Sequence, residues 1–200
     1  MNYALAIGKK EIQPLITRNM SNNLTKAIES LPEQARDIKI NLQNLFSLEN
    51  QILSPKQILG ASLACAFNLK DKNLISFFKE KAQEYLSEEE ISAVRISANI
   101  MAMNNIYYRF LHLIGDNEYS QMQAGLRMRG LIEHKIDVID FEVFSLAVSI
   151  LNGCEMCIQA HSQQLIKHKI SKNQIQLIAK IVAIINAFSV SLNNDNNLLN

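Results

Sequence analysis

Phe141 to Lys169 reads FEVFSLAVSILNGCEMCIQAHSQQLIKHK, and the fold class follows from how this stretch is punctuated. Apolar residues recur at three- and four-residue spacing on both sides of one break, Asn152-Gly153. That period is helical. The Asn-Gly pair ends one helix, and the next begins at or near Cys154. Downstream, KNQIQLIAKIVAIINAFSVSL from Lys172 keeps the same spacing. Upstream, SPKQILGASLACAF starts like a helix, with Ser54 as its cap and Pro55 in the first turn. LSEEEISAVRISANIMAMNN starts another, with Ser87 at the cap and Glu88 to Glu90 placing negative charge in the first turn. The chain holds only six Gly and three Pro, and no proline follows Pro55. The expectation is an all-α fold.

Bulk properties narrow the function. Two hundred residues suffice for one domain with a real core. An apolar content of 48% excludes disorder, and a net charge of +1 with scattered Lys and Arg gives no footprint for nucleic acid. The longest apolar run, around Ile181 to Phe188, is too short to span a bilayer. The start, MNYALAIGKKEIQPL, lacks the order of a signal peptide, because Lys9 and Lys10 follow its brief apolar run. The expected location is therefore cytoplasmic and reducing, where a close cysteine pair is catalytic, redox-active or metal-binding rather than a staple. Residues 1–20 are loosely patterned and read as an N-terminal extension, leader or tag; 21–190 form the helical domain; 191–200 are a polar tail. A weak internal repeat aligns LSEEEISAVRISANI (from Leu86) with ISKNQIQLIAKIVAI (from Ile170) at an offset of 84. At that offset Cys154 faces Lys70, Cys157 faces Asn73, His161 faces Phe77 and Glu142 faces Ile58, so the chemistry lies in the second half alone.

That chemistry centres on Cys154 and Cys157. A thiol in a first helical turn meets unpaired backbone N–H groups and the positive end of the macrodipole, which favour the thiolate. Positions 154, 157 and 161 fall within about 60° of one another on a helix. Cys157 and His161 are i and i+4, so the imidazole can take the thiol proton. The cysteines are i and i+3, within reach of a disulfide. Glu142, on the preceding helix, can orient His161 if the two helices fold back. The rival reading of the pair is half of a zinc site, but Cys65, His112, His134 and His168 supply no second pair at matching spacing. Cys65 reads as a small core residue and those three histidines as surface. Met101, Met103, Met122 and Met128 read as core filling.

The pattern Glu142, twelve residues on Cys154-x-x-Cys157, then x-x-x-His161, resembles the AhpD alkyl hydroperoxidases of the carboxymuconolactone decarboxylase-like superfamily. ARDIKINL (from Ala35), MAMNNIYYR (from Met101), AGLRMRG (from Ala124) and DFEVFSLAVSILNGC (from Asp140) extend the likeness from about Ser21 to Phe188. The resemblance implies a two-lobed helical fold assembling as a homotrimer. It implies an antioxidant that reduces organic hydroperoxides, recycles an oxidised AhpC-type peroxiredoxin, and draws electrons from dihydrolipoamide on a 2-oxoacid dehydrogenase component. No cofactor is bound. By position Cys157 forms the sulfenic acid, Cys154 is proton donor and resolving thiol, Cys154–Cys157 is the redox disulfide, and Glu142 with His161 is the proton relay. Direct lipoamide-dependent peroxide reduction without a peroxiredoxin is the alternative. Met156 stands where some members carry a histidine, and methionine carries no proton.

Overall fold

The computed structural model describes residues 22–47 and 52–194. Among them lie nine α-helices and no strand: α1 (Asn22–Glu29), α2 (Arg36–Leu45), α3 (Pro55–Leu69), α4 (Lys72–Ala82), α5 (Glu88–Ile114), α6 (Asn117–Gln121), α7 (Val138–Leu151), α8 (Glu155–Lys167) and α9 (Lys172–Asn194). The all-α expectation holds. Residues 1–20 fall outside the described part.

Side-chain caps set the helix starts. Ser54 accepts from the Gln57 N–H at 3.2 Å while Gln57 Oε1 accepts from the Ser54 N–H at 3.1 Å, a closed capping box. Ser87 and Glu90 repeat it at 3.2 and 2.8 Å. Ser171 and Gln174 form a third at 3.3 and 2.9 Å. Asp71 caps α4 and Asp137 caps α7 with their carboxylates. Each such cap stabilises its helix by about 1 kcal/mol.

The caps also establish the internal repeat. Helices α3, α4 and α5 match α7, α8 and α9 in order and start signals. Ser54 matches Asp137 and Asp71 matches Cys154, both at 83 residues, whereas Ser87 matches Ser171 at 84. The pairing of Cys154 with Lys70 is thus corrected to Asp71. One extra residue between the starts of α8 and α9 shifts the register, and the sequence match, which lies in α5 and α9, sees only the larger offset. The same turn precedes both caps. Lys70 and Gly153 take left-handed φ of 58° and 64°, and the Asp71 and Cys154 N–H groups donate back to Ala66 O at 3.3 Å and Ser149 O at 3.1 Å. At the corrected register Glu142, Cys157 and His161 stand where the first unit buries Leu59, Leu74 and Phe78.

The two lobes share one core. Helices α3 and α7 pack on each other, and both are flanked by α5 and α9. At the crossing, Gly60 lies against Phe144, whose Cε1 would stand 2.2 Å from an added Cβ. Gly60→Ala is therefore expected to destabilise the protein by about 1–3 kcal/mol through overpacking, read as a lower denaturant midpoint. An unchanged midpoint would contradict this crossing. Further along the same contact Asn68 Nδ2 donates to Asn152 Oδ1 at 2.9 Å.

Helix α9 bears on two expectations. By length and composition it suffices to cross a bilayer, its most apolar 18 residues having a mean hydropathy of 1.9, which an uninterrupted-run reading misses. Its apolarity serves packing: Ile178, Ile181, Val182, Ile185 and Phe188 are buried against α3 and α7. It also runs to Asn194, into the stretch read as tail. The Ser189 hydroxyl and Asn193 amide there donate to Asp71 Oδ2 at 2.6 and 3.0 Å, tying the end of α9 to the start of α4. Residues 195–200 lie outside the described part.

Candidate active site

Helix α7 ends at Leu151, Gly153 turns the chain, and Cys154 stands at the N-cap of α8. Cys154 and Cys157 are joined in a disulfide with their Cα atoms 5.3 Å apart. Cys154 is 0% exposed and Cys157 6%. Only Cys157 of the two lines the adjoining cavity, so an incoming reagent meets its sulfur first. In the dithiol form this sulfur lies in the first turn of α8, where the helix start favours the thiolate.

The fold-back of α7 and α8 brings Glu142 to His161. Glu142 Oε2 lies 2.7 Å from His161 Nδ1, with side-chain exposures of 17% and 15%. This contact fixes the ring and leaves the other nitrogen, Nε2, 3.3 Å from Met101 Sδ on α5. Beside it opens a cavity of about 270 Å³. Met101, Asn104 and Tyr108 line it from α5, Met128 and Leu131 from the segment before α7, and Met156, Cys157, Ala160 and His161 from α8. A sulfur, an imidazole with one nitrogen committed to a carboxylate, and a thioether-rich apolar wall thus share one space. That arrangement can hold an apolar molecule against a sulfur while a proton moves to or from the imidazole.

A polar network, passed over in reading the sequence, supports the turn. The Asn105 amide donates to Ser149 Oγ at 3.1 Å, and Asn152 Nδ2 donates to Asn105 Oδ1 at 3.0 Å. Arg109 Nη1 donates to the Asn152 carbonyl at 2.5 Å, capping the C-terminal end of α7. The signal was in MNNIYYR: two adjacent asparagines and an arginine in an otherwise apolar helix. His112 also reaches the cysteine turn, with Nε2 3.1 Å from Glu155 Oε2.

The other candidates fall as follows. Cys65 is fully buried in α3, and burial pushes its thiol up to about 12, so it stays protonated and inert. His168 is exposed. His134 is half-buried, its ring stacked on Phe141 at 4.0 Å between centroids. Burial lowers the His134 pKa, against the opposing pull of Glu142 and Asp137. Met101 is core, as its 1% exposure shows, but Met122 is 59% exposed and Met128 lines the cavity, so core filling is corrected for those two. Both lie outside the α3–α5–α7–α9 core, in the segment between α5 and α7. Among the described residues, no three His, Cys, Asp or Glu side chains cluster as metal ligands would.

An all-helical repeat that sets a Cys-x-x-Cys pair beside a Glu–His pair and an apolar cavity defines a helical dithiol protein. Residues 117–193 match the carboxymuconolactone decarboxylase family. Over 162 residues the chain is 44% identical to the alkyl hydroperoxide reductase AhpD of Coxiella burnetii, covering 80% of this chain and 92% of that protein. It is 39% identical to the AhpD of Frankia alni, over 82% and 88% of the two chains. With the AhpD of Rhizorhabdus wittichii the identity is 40%, over 82% and 94%. The chain belongs to the AhpD family of alkyl hydroperoxide reductases.

Proposed function

We propose that this chain reduces organic hydroperoxides with its Cys154–Cys157 dithiol and passes reducing equivalents to an oxidised AhpC-type peroxiredoxin. The observation that carries the reading is the disulfide at the start of α8, with Cys157 and His161 on one cavity and Glu142 behind the imidazole. The names of the relatives agree with it.

The cycle balances as follows. His161, held by Glu142, takes the Cys157 proton, and the thiolate attacks the terminal oxygen of ROOH. The S–O bond forms as the O–O bond breaks, giving Cys157 sulfenic acid and an alkoxide that takes the proton of Cys154 and leaves as ROH. The Cys154 thiolate attacks the sulfenic sulfur, and the hydroxide leaves as water with the proton held on His161. Dihydrolipoamide, carried on a 2-oxoacid dehydrogenase component, returns two electrons by thiol–disulfide exchange. The cycle needs no bound cofactor, and a cytoplasmic setting keeps its reductant available. No proton passes through position 156, where Met156 stands.

A homotrimer belongs to the same reading. Its support is the apolar surface on the second half of α5 and the segment after it, where Leu113 is 73% and Ile132 85% exposed. Direct lipoamide-dependent peroxide reduction is the second reading. The near-complete burial of both sulfurs favours it, because a small peroxide reaches Cys157 more easily than a protein thiol does.

One equivalent of cumene hydroperoxide added to the reduced protein tests the chemistry. Mass spectrometry is expected to show loss of two hydrogens, confined to a peptide spanning residues 154–157. Retention of both thiols after peroxide is consumed would refute the reading.

A further inference from the structure

Three hydrogen-bonding groups converge on one buried sulfur. Met101 is 1% exposed, and its Sδ lies 3.3 Å from His161 Nε2, 3.6 Å from Ser149 Oγ and 3.9 Å from Asn105 Nδ2. The Asn105 amide is a donor, and Ser149, whose oxygen accepts from that amide, has its own hydrogen to give. A thioether accepts hydrogen bonds weakly and donates none. The sulfur is therefore an acceptor, held from α5 and α7, and its shortest contact is with the imidazole. The other ring nitrogen decides what that contact means. Glu142 Oε2 is 2.7 Å from Nδ1, so with the carboxylate ionised Nδ1 carries a hydrogen. A neutral ring would then turn the bare lone pair of Nε2 toward the lone pairs of the sulfur. A charged ring has an N–H on each nitrogen, and each meets an acceptor. Cys157 offers no thiolate to Nε2 while its sulfur is bonded to Cys154.

We infer that Met101 Sδ is the acceptor that keeps a proton on His161 Nε2 while the two cysteines are joined, so that the disulfide form holds a charged imidazole. Hydrogen bonding to the charged form favours it. Among the described residues Glu142 of α7 is the ring's one ion-pair partner. Cys157 of α8 and Tyr108 of α5 line the cavity beside it, and His134, before α7, is close enough to Glu142 to feel its charge. In the exchange step of the cycle proposed above, on which the use of this proton rests, one sulfur of a dithiol attacks Cys157. The S–S bond breaks and Cys154 leaves with the electron pair. The second sulfur of the dithiol then attacks the first, closing its own disulfide and expelling Cys157 as a thiolate. That thiolate takes the Nε2 proton, while the two protons of the dithiol go to Cys154 and to solvent. When the next oxidation ends and water has left with the ring's proton, the ring regains one from solvent. A thioether can accept the hydrogen bond but cannot take the proton, so the proton stays on the ring for delivery. Met101 acts through His161 and is a positioning residue.

The test is a pH titration of the oxidised full chain carrying isotope-labelled histidine. Nitrogen NMR distinguishes a protonated from a bare Nε2, and the His161 signal is identified by its loss in His161→Ala. Met101→Leu keeps an apolar side chain of similar size and removes the sulfur. Its His161 midpoint is expected to fall by about one pH unit, the tenfold effect of one hydrogen bond to a charged group. Met101→Gln, whose carboxamide oxygen is an acceptor, is expected to bring the midpoint back toward that of wild type. If the leucine variant does not fold, norleucine incorporated in place of methionine removes the sulfur with little change of shape and should lower the midpoint likewise. A midpoint left in place when the sulfur is removed would overturn the inference. An equal fall in the leucine and glutamine variants would also overturn it, by assigning Met101 to packing. A disulfide that dihydrolipoamide fails to reduce, with the midpoint shift present, would end the exchange step of the proposed cycle and leave the sulfur as the acceptor.

Discussion

On the proposed cycle, Cys157→Ser is expected to abolish hydroperoxide consumption, by about a thousandfold or more, because the group assigned to form the bond to oxygen is lost. A serine hydroxyl in the same place does not ionise near neutral pH and has no lone pair of comparable nucleophilicity. The remaining thiol, Cys154, is fully buried and is not among the groups lining the cavity. Cys154→Ser should behave differently. The first oxygen transfer then proceeds once, with the alkoxide protonated from another source, and the sulfenic acid on Cys157 has no resolving partner. A dimedone-type probe should label Cys157 in this variant and leave wild-type protein unlabelled after the disulfide closes. Turnover ought to stop after one equivalent of peroxide. Two results would reverse the assignment: label on Cys154 in the Cys157→Ser protein, or undiminished multiple turnover by Cys154→Ser.

The difference between the two repeats shows how one helical scaffold carries two different sets of residues. In the first unit the N-cap position holds Asp71, whose carboxylate accepts from the Asn73 and Leu74 N–H groups at 3.0 and 3.1 Å. In the second, Cys154 occupies the same position and makes no side-chain cap bond. The first turn of α8 gives up about 1 kcal/mol of capping, which leaves its amides open to the thiolate of the proposed cycle. Likewise Phe78, fully buried in the first unit, is replaced by His161, which needs a partner to be buried at all and finds Glu142. Departures from the local rules of helix stability thus coincide with the candidate site.

These departures mark how far the sequence is legible. Capping boxes and breaker placement are encoded within four residues, so the starts of α3, α5 and α8 follow from Ser54, Ser87 and Asn152-Gly153. The Cys–Cys–His spacing is likewise local to one helix. Contacts across helix crossings are not. Nothing in a one-dimensional pattern places Met101 on His161, sixty residues away, or Phe144 on Gly60. The same limit hid the Asn105–Asn152–Arg109 network, whose members lie on α5 and at the end of α7. It also led to the exposed Met122 being read as core, because methionine fills cores and surface grooves alike.

The Glu142–His161 pair carries the second large expected effect. On the proposed cycle, His161→Ala removes the base assigned to the Cys157 proton, and the rate at neutral pH should fall by about a hundredfold or more. The thiol must then ionise with only the helix start to help it, so the rate should climb with pH into the alkaline range. At high pH the variant should recover much of the wild-type rate of sulfur oxidation, since hydroxide does what the imidazole did. Glu142→Gln is a milder lesion. The amide can still bond to Nδ1 and hold the ring, but it offers no charge to a protonated imidazole. Its rate at neutral pH should lie between those of wild type and His161→Ala. The double variant should be no slower than His161→Ala alone, because the carboxylate acts only through the ring it orients. Stopped-flow oxidation of the reduced proteins across pH reads all three. Additive losses in the double variant would mean that Glu142 meets the reacting atoms independently of His161. A pH profile left in place by His161→Ala would mean that the imidazole is not the base.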